Sequence, residues 1–188
     1  DPKYDKHLKH TREWYLEDPK RQGHFACFLS HMEILKECAS RESPFVVIFE
    51  DDAQFLGTDF KDRVHENMQN VPDDWDIVLC GYHVDDSIDM VKKGNKDSKV
   101  TNGIINLTYF TGCHGYIVRN KALPLLTREL DKHEWLIDWN IGYLAERGQI
   151  KVYGIFPPIL CQPAAHRVKL NGINLSLDCS SELGGMMD

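Results

Sequence analysis

The chain has 188 residues and a formal net charge of −7, with 22 Lys and Arg against 29 Asp and Glu. This length favours one domain over residues 1–188. The acidic balance argues against a nucleic-acid-binding surface, which needs a basic patch. The composition of 42% hydrophobic and 27% charged residues is that of an ordinary globular domain, and no apolar run approaches the length of a membrane span.

The first helix is predicted from 24 to 39, after a charged segment (1–22) that we expect to be poorly defined. Apolar residues recur there at three- and four-residue spacing, which is typical of an amphipathic helix. His24 and His31 are seven residues apart and share a face, with Ser30 beside the second. Because His31 lies next to the apolar stripe, a polar contact to a ligand or an internal hydrogen bond is favoured over metal binding.

The stretch from 45 to 53 is an apolar strand that ends in three carboxylates, Glu50, Asp51 and Asp52. The continuous apolar run predicts a strand covered on both faces, as in a parallel α/β sheet, and ligands collect at the carboxyl ends of such strands. Adjacent carboxylates repel one another, and Mg²⁺ or Mn²⁺ between them removes the conflict while accepting phosphate oxygens. The pattern therefore indicates a metal–diphosphate site, and the alternative is a solvated acidic turn.

The rest of the chain alternates predicted strands and helices. We expect a helix at 55–70, a strand at 75–81 closed by Gly81, an exposed loop or flexible lid at 82–102, strands at 104–110 and 112–118, helices at 120–130 and 135–147, strands at 151–156 and 159–162, and a polar tail at 167–188. Asp138 lies near the start of a helix between Ile137 and Trp139, and it is either a base or an acid favoured by the helix dipole. The six cysteines show no zinc-type spacing and are interpreted as reduced core thiols, with disulfide bonding as the minority alternative.

Several segments, taken together and in order, resemble glycosyltransferase family 25, which includes bacterial lipooligosaccharide galactosyltransferases and collagen galactosyltransferases. They are Gly-His-Phe-Ala-Cys-Phe-Leu-Ser-His at 23–31, Phe-Glu-Asp-Asp-Ala at 49–53, Asp-Trp-Asp-Ile-Val-Leu-Cys-Gly at 74–81, and the shorter matches at 115–118, 137–139 and 157–166. The resemblance implies a GT-A type α/β fold, with a mixed, mostly parallel sheet flanked by helices. The family's opening strand is not found in this sequence.

The resemblance also implies roles for particular residues. It implies a Mn²⁺ or Mg²⁺ ion held by Asp52, Glu50 and His166. It places the sugar-nucleotide donor near Ser30, His31, Glu50, Asp51 and Gly81. Asp138 matches an acid near the acceptor and is the expected general base.

The implied activity is metal-dependent transfer of a hexose from a UDP-sugar to a hydroxyl of a glycan or protein, with inversion. Galactose is the first choice of sugar and glucose the second, in lipopolysaccharide biosynthesis or collagen glycosylation. We expect a location in the cytoplasm, including the membrane periphery, with the lumen of the endoplasmic reticulum as the alternative. A non-catalytic domain of this fold that binds a sugar or a protein is the competing interpretation. A metal-dependent phosphohydrolase is a third, for which too few His and Asp ligands are found at distinct strand ends.

Overall fold

The computed structural model describes residues 19–132, 136–162 and 166–177. Short strands and helices alternate through these residues. In chain order they are α1 (Pro19–Cys38), β1 (Phe45–Phe49), β2 (Gln54–Phe55), α2 (Phe60–Met68), β3 (Ile77–Asp85), α3 (Asp89–Gly94), β4 (Val100–Thr101), β5 (Ile104–Asn106), β6 (Thr111–Arg119), a 3₁₀ turn (Asn120–Ala122), α4 (Leu123–Leu130), α5 (Ile137–Glu146), β7 (Val152–Ile155), β8 (Leu160–Cys161), β9 (His166–Leu170) and β10 (Ile173–Leu177).

The main sheet has the strand order β1-β6-β3-β7-β5-β4. β3 runs parallel to β7 and, near its end, parallel to β9, whereas β6 runs antiparallel to both β1 and β3. β5 is antiparallel to β7 and to β4, and β2 pairs separately with β8. The predicted α/β class is confirmed, with a mixed sheet and flanking helices. The parallel pairings are a minority, however, so the sheet is not mostly parallel as expected.

Helices cover both faces of this sheet and create two cores. On one face, α1, α4 and α5 pack through Leu35, Leu123 and Ile141 against Ile48 and Leu79. On the other face, α2 and the segment around Trp75 pack on alternate residues of the same strands. Because successive strand residues point to opposite faces, β3 and β6 at the centre are almost entirely buried.

β1 differs from its prediction as a strand buried on both faces. Within the described residues it lies at the edge of the sheet, paired only with β6. Ile48 faces the α1 core, but Phe45, Val47 and Phe49 are 48%, 42% and 40% exposed. A continuous apolar run therefore predicts a strand here, but it does not show that both faces of the strand are covered.

The segment 82–102 is not the long exposed loop that its polar composition predicted. Tyr82 to Asp85 continue β3, and α3 and β4 follow within the segment. Asn95 is fully buried: its Nδ2 donates to the carbonyls of Val91 and Tyr109, and its Oδ1 accepts from the Thr108 amide. A buried polar side chain with satisfied hydrogen bonds therefore fixes this segment to the sheet.

The predicted polar tail contains an ordered hairpin, β9–β10. Asn171 and Gly172 have positive φ values of 50° and 87°, as the two central residues of a tight hairpin turn require. Val168 and Leu170 are buried in the α1-side core, which anchors the hairpin. Among the described residues, no helix combines the length and apolar character needed to cross a membrane.

The cysteine prediction holds for four residues and fails for one. Cys27, Cys38, Cys80 and Cys113 are free thiols, and the last three are buried. Cys161 is disulfide-bonded, so the interpretation of all six as reduced thiols is wrong.

Candidate active site

A cavity of about 700 Å³ lies at the carboxyl end of β1, where the strand-end acids stand. Its walls come from α1, from the turn after β1, from the start of β6 and from the start of α5. The predicted site residues that line it are Ser30, His31, Glu50, Asp51, Asp52 and Asp138. Elements remote in sequence therefore bring six of the predicted residues to one pocket.

Glu50 is the most enclosed of the three acids, with only 18% of its side chain exposed. Its Oε1 lies 3.2 Å from His31 Nε2, and its Oε2 lies 3.8 Å from His114 Nδ1. The His114 and His31 rings lower the pKa of Glu50 to about 2, against the opposing effect of burial. Glu50 is therefore a fixed negative charge in the wall of the cavity.

Asp52 is exposed and shares an amide donor with Glu50. Gln162 Nε2 donates to Glu50 Oε2 at 2.8 Å and to the two oxygens of Asp52 at 3.1 and 3.2 Å. Gln162 follows β8 directly, and the pairing of β8 with β2 brings Gln162 close to the acids that precede β2. Asp51, between the two acids, is exposed at the rim of the cavity.

His31 is buried and hydrogen-bonded on both ring nitrogens. Nε2 faces Glu50, while Nδ1 lies 2.8 Å from the hydroxyl of Tyr116, which is fully buried on β6. The sequence left two interpretations of His31 open, a contact to a ligand and an internal hydrogen bond, and the internal hydrogen bond is observed. Ser30 is exposed to the cavity, and its hydroxyl donates to the Ala26 carbonyl one helical turn back.

Asp138 is buried at the start of α5, and both of its oxygens accept backbone hydrogen bonds. Gly112 N donates to Oδ2 at 2.7 Å and Trp139 N donates to Oδ1 at 2.8 Å. Burial raises the pKa of Asp138 above its ordinary value, although the two amides oppose the shift. A buried carboxylate with a raised pKa, lining a cavity, is a recognisable candidate base.

Two predicted site residues stand apart from this cluster. Gly81 does not line the cavity: it is buried where a Cβ would lie 2.8 Å from Leu160 Cβ and 3.1 Å from the His114 ring, so a larger residue would clash there. His166 begins β9, but its side chain lies outside the described part of the structure.

Sequence reasoning missed Gln162, Cys27, His114 and Tyr116. Cys27 lies one helical turn before His31, with its Sγ 3.7 Å from Glu50 Oε1. Burial and the nearby Glu50 raise the pKa of Cys27 to about 12, so the thiol is protonated. The i, i+4 spacing of Cys27 and His31 indicates that the two side chains share one face of the helix. No local pattern indicates the contacts of Gln162, His114 or Tyr116.

The fold is α/β and is consistent with a nucleotide-sugar transferase fold. Its cavity brings together the acidic side chains at the end of the edge strand β1 and the buried carboxylate of Asp138 at the start of α5. Comparison with known proteins makes the assignment more specific. Residues 2–139 match the family described as "Glycosyltransferase family 25 (LPS biosynthesis protein)". The chain belongs to glycosyltransferase family 25.

Curated relatives are similar over shorter stretches. Procollagen galactosyltransferase 2 of Homo sapiens is 33% identical over 73 residues, which are 37% of this chain and 12% of that protein. Procollagen galactosyltransferase 1-A of Xenopus laevis is 33% identical over 79 residues, 40% of this chain and 13% of that protein. A Bos taurus relative named "Probable inactive glycosyltransferase 25 family member 3" is 38% identical over 63 residues, 32% of this chain and 10% of that protein. The aligned part of this chain thus spans only about a tenth of the length of each relative.

Proposed function

We propose that this chain carries the site of a metal-dependent glycosyltransferase, which moves a hexose from a UDP-sugar to a hydroxyl of a glycan or protein with inversion. The observation that carries the proposal is one cavity that holds both a pair of strand-end acids, Glu50 and Asp52, and a buried carboxylate, Asp138. A transferase of this kind needs these two functions: charge compensation at the leaving diphosphate and removal of a proton from the acceptor.

The acid pair fits a divalent cation. The amide nitrogen of Gln162 lies within 3.2 Å of three carboxylate oxygens from Glu50 and Asp52, so these side chains already converge on one positively polarised group. Oxygen-rich sites of this kind suit Mn²⁺ or Mg²⁺. Asp52 and Glu50 would hold the ion, and the family resemblance adds His166. When bound, the ion supplies Lewis-acid stabilisation of charge on a diphosphate leaving group.

Asp138 is the proposed base. In the reaction, the acceptor oxygen forms a bond to C1 of the sugar from the face opposite the diphosphate, the sugar–phosphate bond breaks, and the acceptor proton passes to the Asp138 carboxylate. The amides of Gly112 and Trp139 hold that carboxylate in a fixed orientation. Its raised pKa makes it a stronger base than an ordinary aspartate.

We further propose galactose as the first choice of sugar, glucose as the second, and a protein acceptor ahead of a glycan. Two relatives named procollagen galactosyltransferases support this choice. The disulfide bond of Cys161 supports an oxidising compartment, the lumen of the endoplasmic reticulum, over the cytoplasm. The relative named as inactive favours the competing function, a domain that binds without catalysing transfer.

The test measures UDP-sugar hydrolysis and transfer by the full chain with and without Mn²⁺, using a panel of nucleotide-sugars. Asp52→Asn and Asp138→Asn are compared with Asp62→Asn, an exposed acid of α2 away from the cavity. We expect Asp62→Asn to match wild type, and Asp138→Asn to lose about 10²- to 10⁴-fold, as is typical for a general base. Undiminished turnover in Asp52→Asn or Asp138→Asn removes the role of that residue. Calorimetry with UDP and Mn²⁺ that detects no binding would favour the non-catalytic function.

A further inference from the structure

Three donor atoms of different chemistry meet in the wall of the cavity. The thiol of Cys27, the imidazole of His31 and the carboxylate of Glu50 each offer an atom within 4.8 Å of the other two. Cys27 and His31 lie on one face of α1 because they are four residues apart, and Glu50 ends the strand packed against that helix. The cluster is separate from the contacts of Asp52, which lie on the other side of Glu50 with Gln162.

Two of the three distances between these atoms match the edges of a tetrahedral zinc site. Zinc bonds of about 2.3 Å to sulfur and about 2.0–2.1 Å to nitrogen and oxygen imply edges of about 3.3 Å between N and O and about 3.6 Å between S and O. The corresponding distances here are 3.2 Å from His31 Nε2 to Glu50 Oε1 and 3.7 Å from Cys27 Sγ to the same oxygen. The third distance, from Cys27 Sγ to the imidazole nitrogen of His31, is within 4.8 Å.

The imidazole is already oriented for a ligand role. Tyr116, buried on β6, is hydrogen-bonded to Nδ1 of His31 at 2.8 Å, which directs Nε2 toward Glu50 and Cys27. A metal-bound histidine usually makes a hydrogen bond through its other ring nitrogen, which fixes the orientation of the ring. His31 is itself buried, so its ring has little freedom to turn away.

We propose that Cys27, His31 and Glu50 form a zinc site whose fourth coordination position faces the cavity. All three residues line that cavity, so a water or a ligand oxygen can complete the tetrahedron. Zn²⁺ binding releases the proton of the Cys27 thiol to solvent. The resulting thiolate and the imidazole favour Zn²⁺ over Mn²⁺ or Mg²⁺, which prefer oxygen ligands. The site shares Glu50 with the proposed donor site, but its existence does not depend on transfer activity.

The test is binding of Zn²⁺ and Co²⁺ to the full chain. Zn²⁺ affinity is measured by competition with a chromogenic chelator, and Co²⁺ is followed by the thiolate-to-cobalt charge-transfer absorption. Cys27→Ala is compared with Cys38→Ala, which removes another free thiol of the same helix away from the cavity. Circular dichroism and thermal unfolding establish that each variant is folded.

We expect wild type and Cys38→Ala to bind Zn²⁺ alike and to show the cobalt–thiolate band. Cys27→Ala should lose the band and weaken Zn²⁺ binding by at least the roughly 10- to 100-fold that results when a metal ligand loses its hydrogen-bond partner. Tyr116→Phe, which keeps all three ligands, should weaken binding within that range while retaining the band. Equal affinity in Cys27→Ala and Cys38→Ala, or no thiolate band in folded wild type, would overturn the proposal.

Asp52→Asn separates this site from the proposed donor site. It should lose Mn²⁺ binding and keep the Zn²⁺ affinity and the cobalt–thiolate band. If Asp52→Asn loses Zn²⁺ binding together with Mn²⁺ binding, the zinc lies at the acid pair and the thiol site is refuted. If Mn²⁺ binding survives while Cys27→Ala alone loses Zn²⁺, the zinc site stands and the metal role of Asp52 fails.

Discussion

Removal of one buried hydroxyl tests whether the Tyr116–His31–Glu50 chain holds the site together. Tyr116 lies on β6 with 0% exposure, and its hydroxyl is 2.8 Å from Nδ1 of buried His31. Tyr116→Phe keeps the ring and opens almost no cavity. Its cost therefore comes from the imidazole nitrogen left in the interior without a hydrogen-bond partner.

The expected loss of unfolding free energy is about 1–3 kcal/mol, the penalty for a buried polar group that loses its partner. For a chain of this size, each kcal/mol lowers Tm by about 2–4 °C, so the decrease should be about 2–12 °C. The measurement is urea and thermal unfolding of metal-free protein, followed by circular dichroism.

Tyr153→Phe is the matched control. The Tyr153 hydroxyl donates to Asp74 Oδ1 at 2.8 Å, but Asp74 is exposed and water can replace the lost donor. We expect this control to lose less than about 1 kcal/mol. Equal stability losses in the two tyrosine variants would refute the reasoning, because burial of the orphaned partner would then make no difference.

Three further outcomes follow from local geometry. Gly115→Ala places a Cβ 2.2 Å from Leu160 Cδ1 and should lower the free energy of unfolding in urea by about 1–3 kcal/mol. Gly23→Ala lies on α1 with open space around it and should raise that free energy by about 0.5–1 kcal/mol. An unchanged stability of Gly115→Ala would contradict this reasoning. Burial raises the pKa of Asp138 above 3.8, so the transfer rate should fall as the pH decreases and the base becomes protonated, with a midpoint above pH 3.8. A transfer rate that stays unchanged down to pH 3.8 would exclude Asp138 as the base. Asn95→Ala should speed amide hydrogen exchange across residues 89–98, which unchanged protection would disprove.

Periodicity and strand-end chemistry predict much of this fold from the sequence. The three- and four-residue spacing of apolar residues predicts α1 and α5, and apolar β-branched runs predict β3 and β7, with bounds that shift by a few residues. The position of Glu50 and Asp52 after a strand predicts a ligand site, because ligands bind at the carboxyl ends of strands in such sheets; both residues line the cavity. Each of these patterns is a property of a short segment, so it can be recognised in the sequence without a structure.

The errors arise where a partner distant in sequence decides the outcome. The polar segment 82–102 is ordered because Asn95 finds the carbonyl of Tyr109 and the amide of Thr108, and composition alone cannot reveal such pairing. The turn pairs Asn102-Gly103 and Asn171-Gly172 both adopt positive φ and close hairpins. Those two Asn-Gly dipeptides were a usable signal for β4–β5 and β9–β10 that polarity obscured.

The same distinction separates the members of the acidic triplet from one another. A solvated acidic turn describes Asp51, which is exposed, but not Glu50, whose pKa of about 2 reflects the His114 and His31 rings around it. Glu50 is surrounded by two imidazoles, a thiol and an amide from three other parts of the chain. A carboxylate in a simple surface turn would be surrounded by water instead. The adjacent carboxylates therefore lie in different environments. Glu50 is held as an anion between the Cys27–His31 pair and Gln162, whereas Asp52 is exposed at the cavity, where we propose that it contacts a cation.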